Sequence, residues 1–318
     1  MDITQFIFLV SGCDVRGGLR RQKMTGSRLA HISVEGLMKI GLNDASARHV
    51  LLRIDELLGR KSHLGLREKT DRLLEKGYGF YNGLEYLHIK RKRGLSLINE
   101  AADLGNTSAR AFLLQHKTTD SPDAEDKGHL LFSSAVIAAN LNEPIGMTVL
   151  GDCYKGGIGV KVDLKEALYW FQRGADAGSA VAKFKLALAH YKGEGVQRSK
   201  KAALKLFFES GSTGYSAAMN FWGFLTVSQS QNPKEIRTGF EWIRKSASQG
   251  HKGGQYNLAS CYRNGLGVEK NKAIAMDWFL KAAKQKDDND REEDYSSRSI
   301  MEDCEKLRFR LEAAKLLF

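Results

Sequence analysis

Histidine and cysteine are the residue types in this sequence whose spacing could build a metal or catalytic site. The sequence holds eight His and four Cys, with no His-x-x-x-His pair and no Cys-x-x-Cys pair. Zinc sites in proteins commonly use such short spacings, because one helical turn or one tight loop then places two ligands on one metal. We therefore predict no metal site, no cofactor and no enzyme activity.

Three Gly-x-Gly loops resemble phosphate-binding loops. They lie at 157–159, 193–195 and 265–267, and Val follows each of them. Each loop follows a predicted helix rather than a strand, and none leads into a Gly-Lys-Ser sequence. Because the loops recur at a fixed period, we interpret them as turns that end helices, where glycine adopts the left-handed conformation at low cost.

A 36-residue period organises the second half of the chain. It is clearest in the column Trp170, Leu206, Trp242 and Trp278. Small residues recur at the same period, in the column Gly151, Ala187, Gly223 and Ala259. A unit of this length cannot bury its apolar face alone, so it stacks on its neighbours. The period predicts a repeat array, and such arrays usually bind other molecules.

Each unit is predicted to form two helices joined by a glycine turn. On the first helix, Gly146, Leu150 and Tyr154 share one face at 3.6 residues per turn. Asp163 is predicted to cap the second helix, since its short side chain can accept hydrogen bonds from the first-turn amides, and Asn271 occupies the same column. We expect the Trp column to form the core.

The order of residues in the unit 143–178 resembles the Sel1-like repeat family, which is TPR-like. The matching positions are Leu150, Gly151, Tyr154, Gly157, Gly159, Val160, Asp163, Ala167, Trp170, Ala175 and Gly178. The resemblance implies an all-α fold, a superhelical α-solenoid of antiparallel helix pairs, and a scaffold for protein–protein contacts. The unit 215–250 departs most, because Gln229, Gln231 and Asn232 replace Gly, Gly and Val, and we predict a different turn there.

Four regions are predicted along the chain. Residues 1–69 form a basic helical region, and residues 70–142 hold divergent repeats. Residues 143–286 hold the four clear repeats, and residues 287–318 form a polar linker and a C-terminal capping helix.

The N-terminal region supports a second interpretation. The chain carries a net charge of +12, and the basic excess is densest near this end. Residues 40–51 resemble a helix-turn-helix core, which would direct Ser46, Arg48, His49 and Arg53 toward a DNA groove. The alternative function is therefore a DNA-binding regulator whose repeats sense a partner. A helical hairpin that caps the array explains the same residues structurally.

A partner-binding surface is expected on the first helices, in the columns of residues 148 and 152, which face away from the small-residue face. Phe184, Leu188 and Phe224 would form an apolar patch there that binds a protein or peptide ligand. The predicted partner-binding residues are Phe184, Leu188, Phe224, Tyr256, Lys183 and Asp152. In the other interpretation of these columns, neighbouring first helices bury the same side chains.

Cysteine usage favours a cytoplasmic location. Cys153 and Cys261 occupy the same column three repeats apart, beyond the ~7 Å between Cα atoms that a disulfide can span. Both are predicted to be reduced core residues. A lipid anchor through Cys13 is the lesser alternative, since residues 10–13 resemble a lipoprotein cleavage box, and Met24 is an alternative start. No stretch approaches the ~20 apolar residues that cross a bilayer, so no membrane span is predicted.

Overall fold

The computed structural model describes residues 34–39, 42, 47, 50–51, 64–84, 87–117 and 124–285. Within these ranges the chain forms thirteen α-helices and no strand, so the predicted all-α class is confirmed. The helices are α1 (Val34–Lys39), α2 (Leu64–Asn82), α3 (Arg91–Asp103), α4 (Thr107–Lys117), α5 (Ala124–Asn140), α6 (Pro144–Gly156), α7 (Leu164–Asp176), α8 (Ala180–Lys192), α9 (Lys200–Ser212), α10 (Ser216–Gln229), α11 (Pro233–Ser248), α12 (Lys252–Asn264) and α13 (Lys272–Ala283).

The chain divides into two compact units. Unit 1 comprises residues 1–81 and 91–199, and unit 2 comprises residues 82–90 and 200–318. In unit 1, α4 packs on α5 and α6 packs on α7, and in unit 2, α10 packs on α11 and α12 packs on α13. Short turns join α6 to α7, α10 to α11 and α12 to α13, so the partners in each of these three pairs are antiparallel. The predicted α-solenoid of antiparallel helix pairs is confirmed.

Glycine turns and side-chain caps set the helix ends. Gly157 ends α6 with a φ of 68°, and its N–H donates to a carbonyl of the last helical turn. Gly193 and Gly265 end α8 and α12 in the same left-handed conformation. The Asp163 carboxylate accepts hydrogen bonds from two first-turn N–H groups of α7, and the Asn271 amide accepts one in α13. The predicted turns and both caps are confirmed.

The turn between α10 and α11 is built differently from the others, as predicted. Helix α10 continues to Gln229, and the residue after it, Ser230, is extended rather than left-handed. Helix α11 begins at Pro233. Proline suits the first position of a helix, because an N–H at that position would have no acceptor within the helix. The Asn232 side chain accepts a hydrogen bond from the Lys234 N–H at 3.0 Å. An Asn cap and a Pro therefore replace the glycine turn.

The fully buried column lies one residue after the Trp column. Its members, each at most 2% exposed, are Phe171, Phe207, Ile243 and Phe279. The members of the Trp column are only partly buried, and they are Trp170, Leu206, Trp242 and Trp278. The expectation that the Trp column forms the core is therefore corrected. The large indole rings cover the edges of the clusters, as is common for Trp, and the smaller side chains fill the space between the helices.

The small-residue columns allow the helices of a pair to approach closely. A Cβ atom added to Gly151 would lie 2.5 Å from Cε1 of Phe171, and one added to Gly223 would lie 2.7 Å from the Gly239 carbonyl oxygen. These distances are shorter than any van der Waals contact, so larger residues would push the helices apart.

The remaining regions are described in part. Helices α2 to α5 occupy most of the region predicted to hold divergent repeats. The predicted polar linker, the C-terminal capping helix and Cys13 lie outside the described residues. Among the helices that the structure describes, none combines the length and the apolar character that a membrane crossing requires.

Candidate interaction surface

Most of the predicted apolar patch is buried. Phe184 and Leu188, both on α8, are 2% and 5% exposed, so the expectation that they form an open binding surface is corrected. The physical reason is that α8 packs against α7 and also against α6, the first helix of the preceding repeat. Neighbouring helices therefore bury these two side chains, as the second interpretation of the sequence held.

The two predicted residues of unit 2 have different surroundings. Phe224 on α10 is 43% exposed, which makes it the member of the expected apolar patch that solvent reaches. Tyr256 on α12 is half-buried, and its ring packs edge-on against Phe279 with centroids 5.2 Å apart. Tyr256 therefore contributes to the packing between α12 and α13.

Asp152 lies in a polar cluster of unit 1. Its Oδ1 is 3.2 Å from Nζ of Lys185, and its Oδ2 accepts a hydrogen bond from Nε2 of Gln115 at 2.8 Å. Both charged side chains are only 16% exposed. Gln115, Asp152 and Lys185 come from α4, α6 and α8, so the stacking of three first helices brings the cluster together. Lys183, also predicted, is half-buried on α8.

An aromatic cluster adjoins Gln115 through the next residue, His116. The His116 ring centroid lies 4.5 Å from that of Phe112 and 4.9 Å from that of Tyr81. Oη of Tyr81 and Nδ1 of His116 are 3.3 Å apart, within hydrogen-bond distance. The guanidinium of Arg91 lies 5.8 Å from the centre of the Tyr81 ring, which is a cation–π contact.

These two clusters are called the polar–aromatic surface below. It consists of Tyr81, Arg91, Gln115, His116, Asp152 and Lys185, and the buried Phe112 ring packs beneath it. All of these residues belong to unit 1. The surface offers aromatic rings, hydrogen-bonding groups and charges of both signs, which together suit the recognition of a polypeptide.

The charge state of His116 follows from its neighbours. Contact with the surrounding side chains desolvates the ring, and Arg91 and Lys185 add positive charge, so the pKa of His116 lies below its ordinary value of 6.5. Part of the residue is exposed, which limits the effect of desolvation. The imidazole is neutral near pH 7, so the positive charge of the surface comes from Arg91 and Lys185.

Five residues of this surface were not among the predicted partner-binding residues: Tyr81, Arg91, Gln115, His116 and Lys185. Gln115 precedes Asp152 by 37 residues, so it escapes the 36-residue columns. Arg91 belongs to the basic run at 90–93, which gives no sign of the aromatic ring beneath it. A search for polar residues one position out of register with the repeat would have found Gln115.

The residues of the DNA-binding alternative, Ser46, Arg48, His49 and Arg53, lie outside the described residues. Across the ranges that the structure does describe, no group of three or more His, Cys, Asp or Glu side chains could hold a metal ion.

Both described cysteines are buried free thiols. Burial raises the pKa of Cys153 and Cys261 to about 12, and the Asp152 carboxylate adds to the effect at Cys153. Thiols with so high a pKa are poor nucleophiles, because the thiolate is the reactive form.

The repeats match a known family. The Sel1 repeat family model matches residues 144–179, 180–211, 216–251 and 253–287. These ranges follow the helix pairs α6–α7, α8–α9, α10–α11 and α12–α13.

Two curated proteins are similar in sequence to part of this chain. DAP3-binding cell death enhancer 1 of Rattus norvegicus is 35% identical over 97 residues, which cover 30% of this chain and 18% of that protein. An F-box protein of Arabidopsis thaliana is 33% identical over 132 residues, covering 41% of this chain and 35% of that protein. The chain therefore spans a minor part of the length of both relatives.

Solved structures show more distant similarity. A Sel1 repeat protein from Oxalobacter formigenes is 23% identical with a TM-score of 0.49, covering 66% of this chain and 83% of that one. An immunity protein from Pseudomonas aeruginosa is 21% identical with a TM-score of 0.42, covering 56% of this chain and 64% of that one.

Proposed function

Because this chain carries a tandem array of four Sel1 repeats, we propose that it is a non-catalytic scaffold that binds a peptide or helix of a partner protein. Sel1 repeats generally mediate protein interactions, and stacked repeats provide extended surfaces for them. A relative whose name describes it as DAP3-binding is in keeping with such a role. We assign the binding to the polar–aromatic surface of unit 1.

The observation that carries this assignment is the ion pair between Asp152 and Lys185, which Gln115 completes from a third helix. Taking charges partly out of water costs free energy, and packing helices against one another does not require charged side chains at all. The pair holds the Lys185 ammonium in one orientation. A partner would therefore lose little side-chain entropy when it contacts this group.

The chemistry of the surface indicates the kind of ligand. Arg91 and Lys185 both place positive charge here, and we propose that a carboxylate of the ligand binds beside them. The exposed part of the His116 and Tyr81 cluster favours an apolar side chain beside that carboxylate. We propose a peptide or helix in which an acidic residue is next to an apolar one.

We also propose a cytoplasmic location. The two buried thiols of Cys153 and Cys261 support it, because neither takes part in a disulfide and both fill apolar space in the repeats.

The test compares two charge reversals on the same helix turn of α3. Arg91 lies over the Tyr81 ring of the surface, and Arg93 lies over the Phe80 ring with its guanidinium 5.1 Å from the ring centre. Arg91→Glu should abolish capture of the partner from a lysate of the source cells, because it places a negative charge where the ligand carboxylate binds. Arg93→Glu is the matched control and should retain the partner.

Captured proteins are identified by mass spectrometry after capture on wild type and both variants, with circular dichroism confirming equal helix content. A partner that binds wild type and Arg91→Glu equally well would show that this surface is not the site. Equal loss in both variants would show that general charge, rather than the position of Arg91, determines binding.

A further inference from the structure

A short segment of the chain docks on the helix ends of unit 2. The segment is residues 82–84 and 87–90, called the linker peptide below, and it connects α2 to α3. The Ser216 N–H donates to the Gly83 carbonyl at 3.1 Å, and its hydroxyl donates to the Asn82 carbonyl at 3.0 Å. The Ile89 N–H donates to the Gln249 carbonyl at 2.7 Å. Within unit 2, Ser216 and Gln249 thus bind the main chain of the linker peptide.

The Gln249 side chain lies at the centre of this contact. It is 4% exposed, and its Nε2 donates to the Gly214 carbonyl at 3.1 Å and lies 3.5 Å from the carbonyls of Gly83 and Leu87. Its Oε1 is buried and has no hydrogen-bond partner within the described part of the chain. A buried acceptor without a donor is unfavourable, so the linker peptide fits this site incompletely.

The linker peptide is held through its backbone and through three apolar side chains. Leu84, Leu87 and Ile89 are partly buried, so they add apolar contact, and His88 is exposed. A short segment held in this way opens locally more often than the whole protein unfolds, because detaching it breaks only these contacts and a few hydrogen bonds.

Contact with the linker peptide distinguishes Gln249 from its equivalents in the other repeats. Gln285, which is 36 residues after Gln249, uses its Nε2 to donate to the Gly250 carbonyl at 2.8 Å and to Oε1 of Gln255 at 2.9 Å, and Gln249 makes the equivalent hydrogen bond to the Gly214 carbonyl. Ala177 and Thr213, in the same column, have no side-chain amide. The bond to the glycine carbonyl is therefore shared by two repeats, whereas Gln249 adds the contacts with Gly83 and Leu87 and leaves its Oε1 without a donor among the described residues.

We propose that Ser216 and Gln249 form a second binding site, one for polypeptide main chain, and that the linker peptide is its exchangeable internal occupant. A partner segment displaces the linker peptide when it presents the same carbonyls and N–H and adds one donor for Oε1 of Gln249. The site lies in unit 2 and does not depend on the polar–aromatic surface of unit 1.

The experiment measures binding of a fluorescently labelled synthetic peptide with the sequence of residues 82–90. The Ile89→Pro variant of the full chain removes the N–H that donates to Gln249, which weakens the internal occupant. We expect it to bind the peptide about tenfold more tightly than wild type does, the change that loss of one hydrogen bond produces. Lys90→Pro is the matched control, because among the described residues the Lys90 N–H makes no hydrogen bond to residues 200–285, and it should behave as wild type.

Adding Gln249→Ala to Ile89→Pro should remove the gain in affinity. The proposal is overturned if Ile89→Pro binds the peptide no more tightly than Lys90→Pro, or if Gln249→Ala leaves the affinity unchanged. The peptide titration reports on Ser216, Gln249 and the linker peptide, whereas capture from a lysate reports on Arg91, so failure here is distinguishable from failure of the proposed scaffold function.

Native-state hydrogen exchange of the wild type tests the same proposal without a variant that must fold. The Ile89 amide should exchange at least about a hundredfold faster than the Leu258 amide inside α12, because its hydrogen bond breaks by local opening. Equal rates for the two amides would mean that the linker peptide detaches only on global unfolding, and the proposal would then be wrong.

Discussion

Truncation of Phe184 and of Phe224 should have very different effects on stability. Both residues are Phe on a first helix, and the sequence places both on the expected binding face. Phe184 is 2% exposed and Phe224 is 43% exposed. The two substitutions remove the same atoms, so any difference in effect reports on the surroundings rather than on the residue type.

The expected magnitudes follow from these exposures. Phe184→Ala removes a fully packed ring and leaves a cavity between α8 and its neighbours, which costs about 3–5 kcal/mol. Phe224→Ala loses only part of the roughly 1.5–3 kcal/mol that full burial of such a side chain supplies. Because solvent fills the space that the exposed ring leaves, no cavity forms, and we expect a loss of about 1 kcal/mol.

The free energy of unfolding is measured by urea titration followed by circular dichroism, for wild type and both Ala variants. Phe184→Leu serves as a control, because it keeps most of the apolar volume and should cost about 1.5 kcal/mol or less. Equal losses for Phe184→Ala and Phe224→Ala, or a loss below about 1.5 kcal/mol for Phe184→Ala, would refute the assignment of Phe184 to the core.

Two further predictions concern titratable groups. The pKa of His116 is lowered on folding, so the unfolded chain binds the proton more readily, and stability should fall as pH drops below about 6.5. Because the residue is partly exposed, we expect a loss of about 1 kcal/mol between pH 7 and pH 5, measured by urea titration, and the His116→Gln variant should lose less. Cys153 and Cys261 should resist alkylation in the native protein at about pH 8 and react in urea, as read by mass spectrometry of the peptides. Rapid native labelling of either would show that its thiol is accessible.

Local rules were enough to predict the helix ends from the sequence. Gly157 must adopt a positive φ, and Asp163 caps α7 with its own side chain, so each depends on residues within a few positions. The sequence also predicted that the turn in the unit 215–250 differs from the glycine turns of the other repeats. Asn232 and Pro233 are typical residues of a helix start. Such interactions are short in sequence and need no knowledge of the neighbouring repeat.

The core was predicted less well. The period identified the Trp column, but Phe171 and its equivalents one residue later are the fully buried side chains. A shift of one residue turns a side chain by about 100° around a helix, and both directions lie on the apolar side of α7. Which of them points between the helices depends on how the pair crosses, and periodicity alone does not contain that angle.

The sequence by itself determined the repeat, the all-α fold, the glycine turns and the caps, because each depends on backbone conformation or on contacts within one 36-residue unit. Only the tertiary structure decided that Phe184 is core and that Gln115 meets Asp152 across 37 residues. It also decided that Gln249 contacts a segment more than 160 residues earlier in the chain. The physical reason is that burial and long-range hydrogen bonds depend on which helices become neighbours, and repeats of nearly equal sequence meet different neighbours.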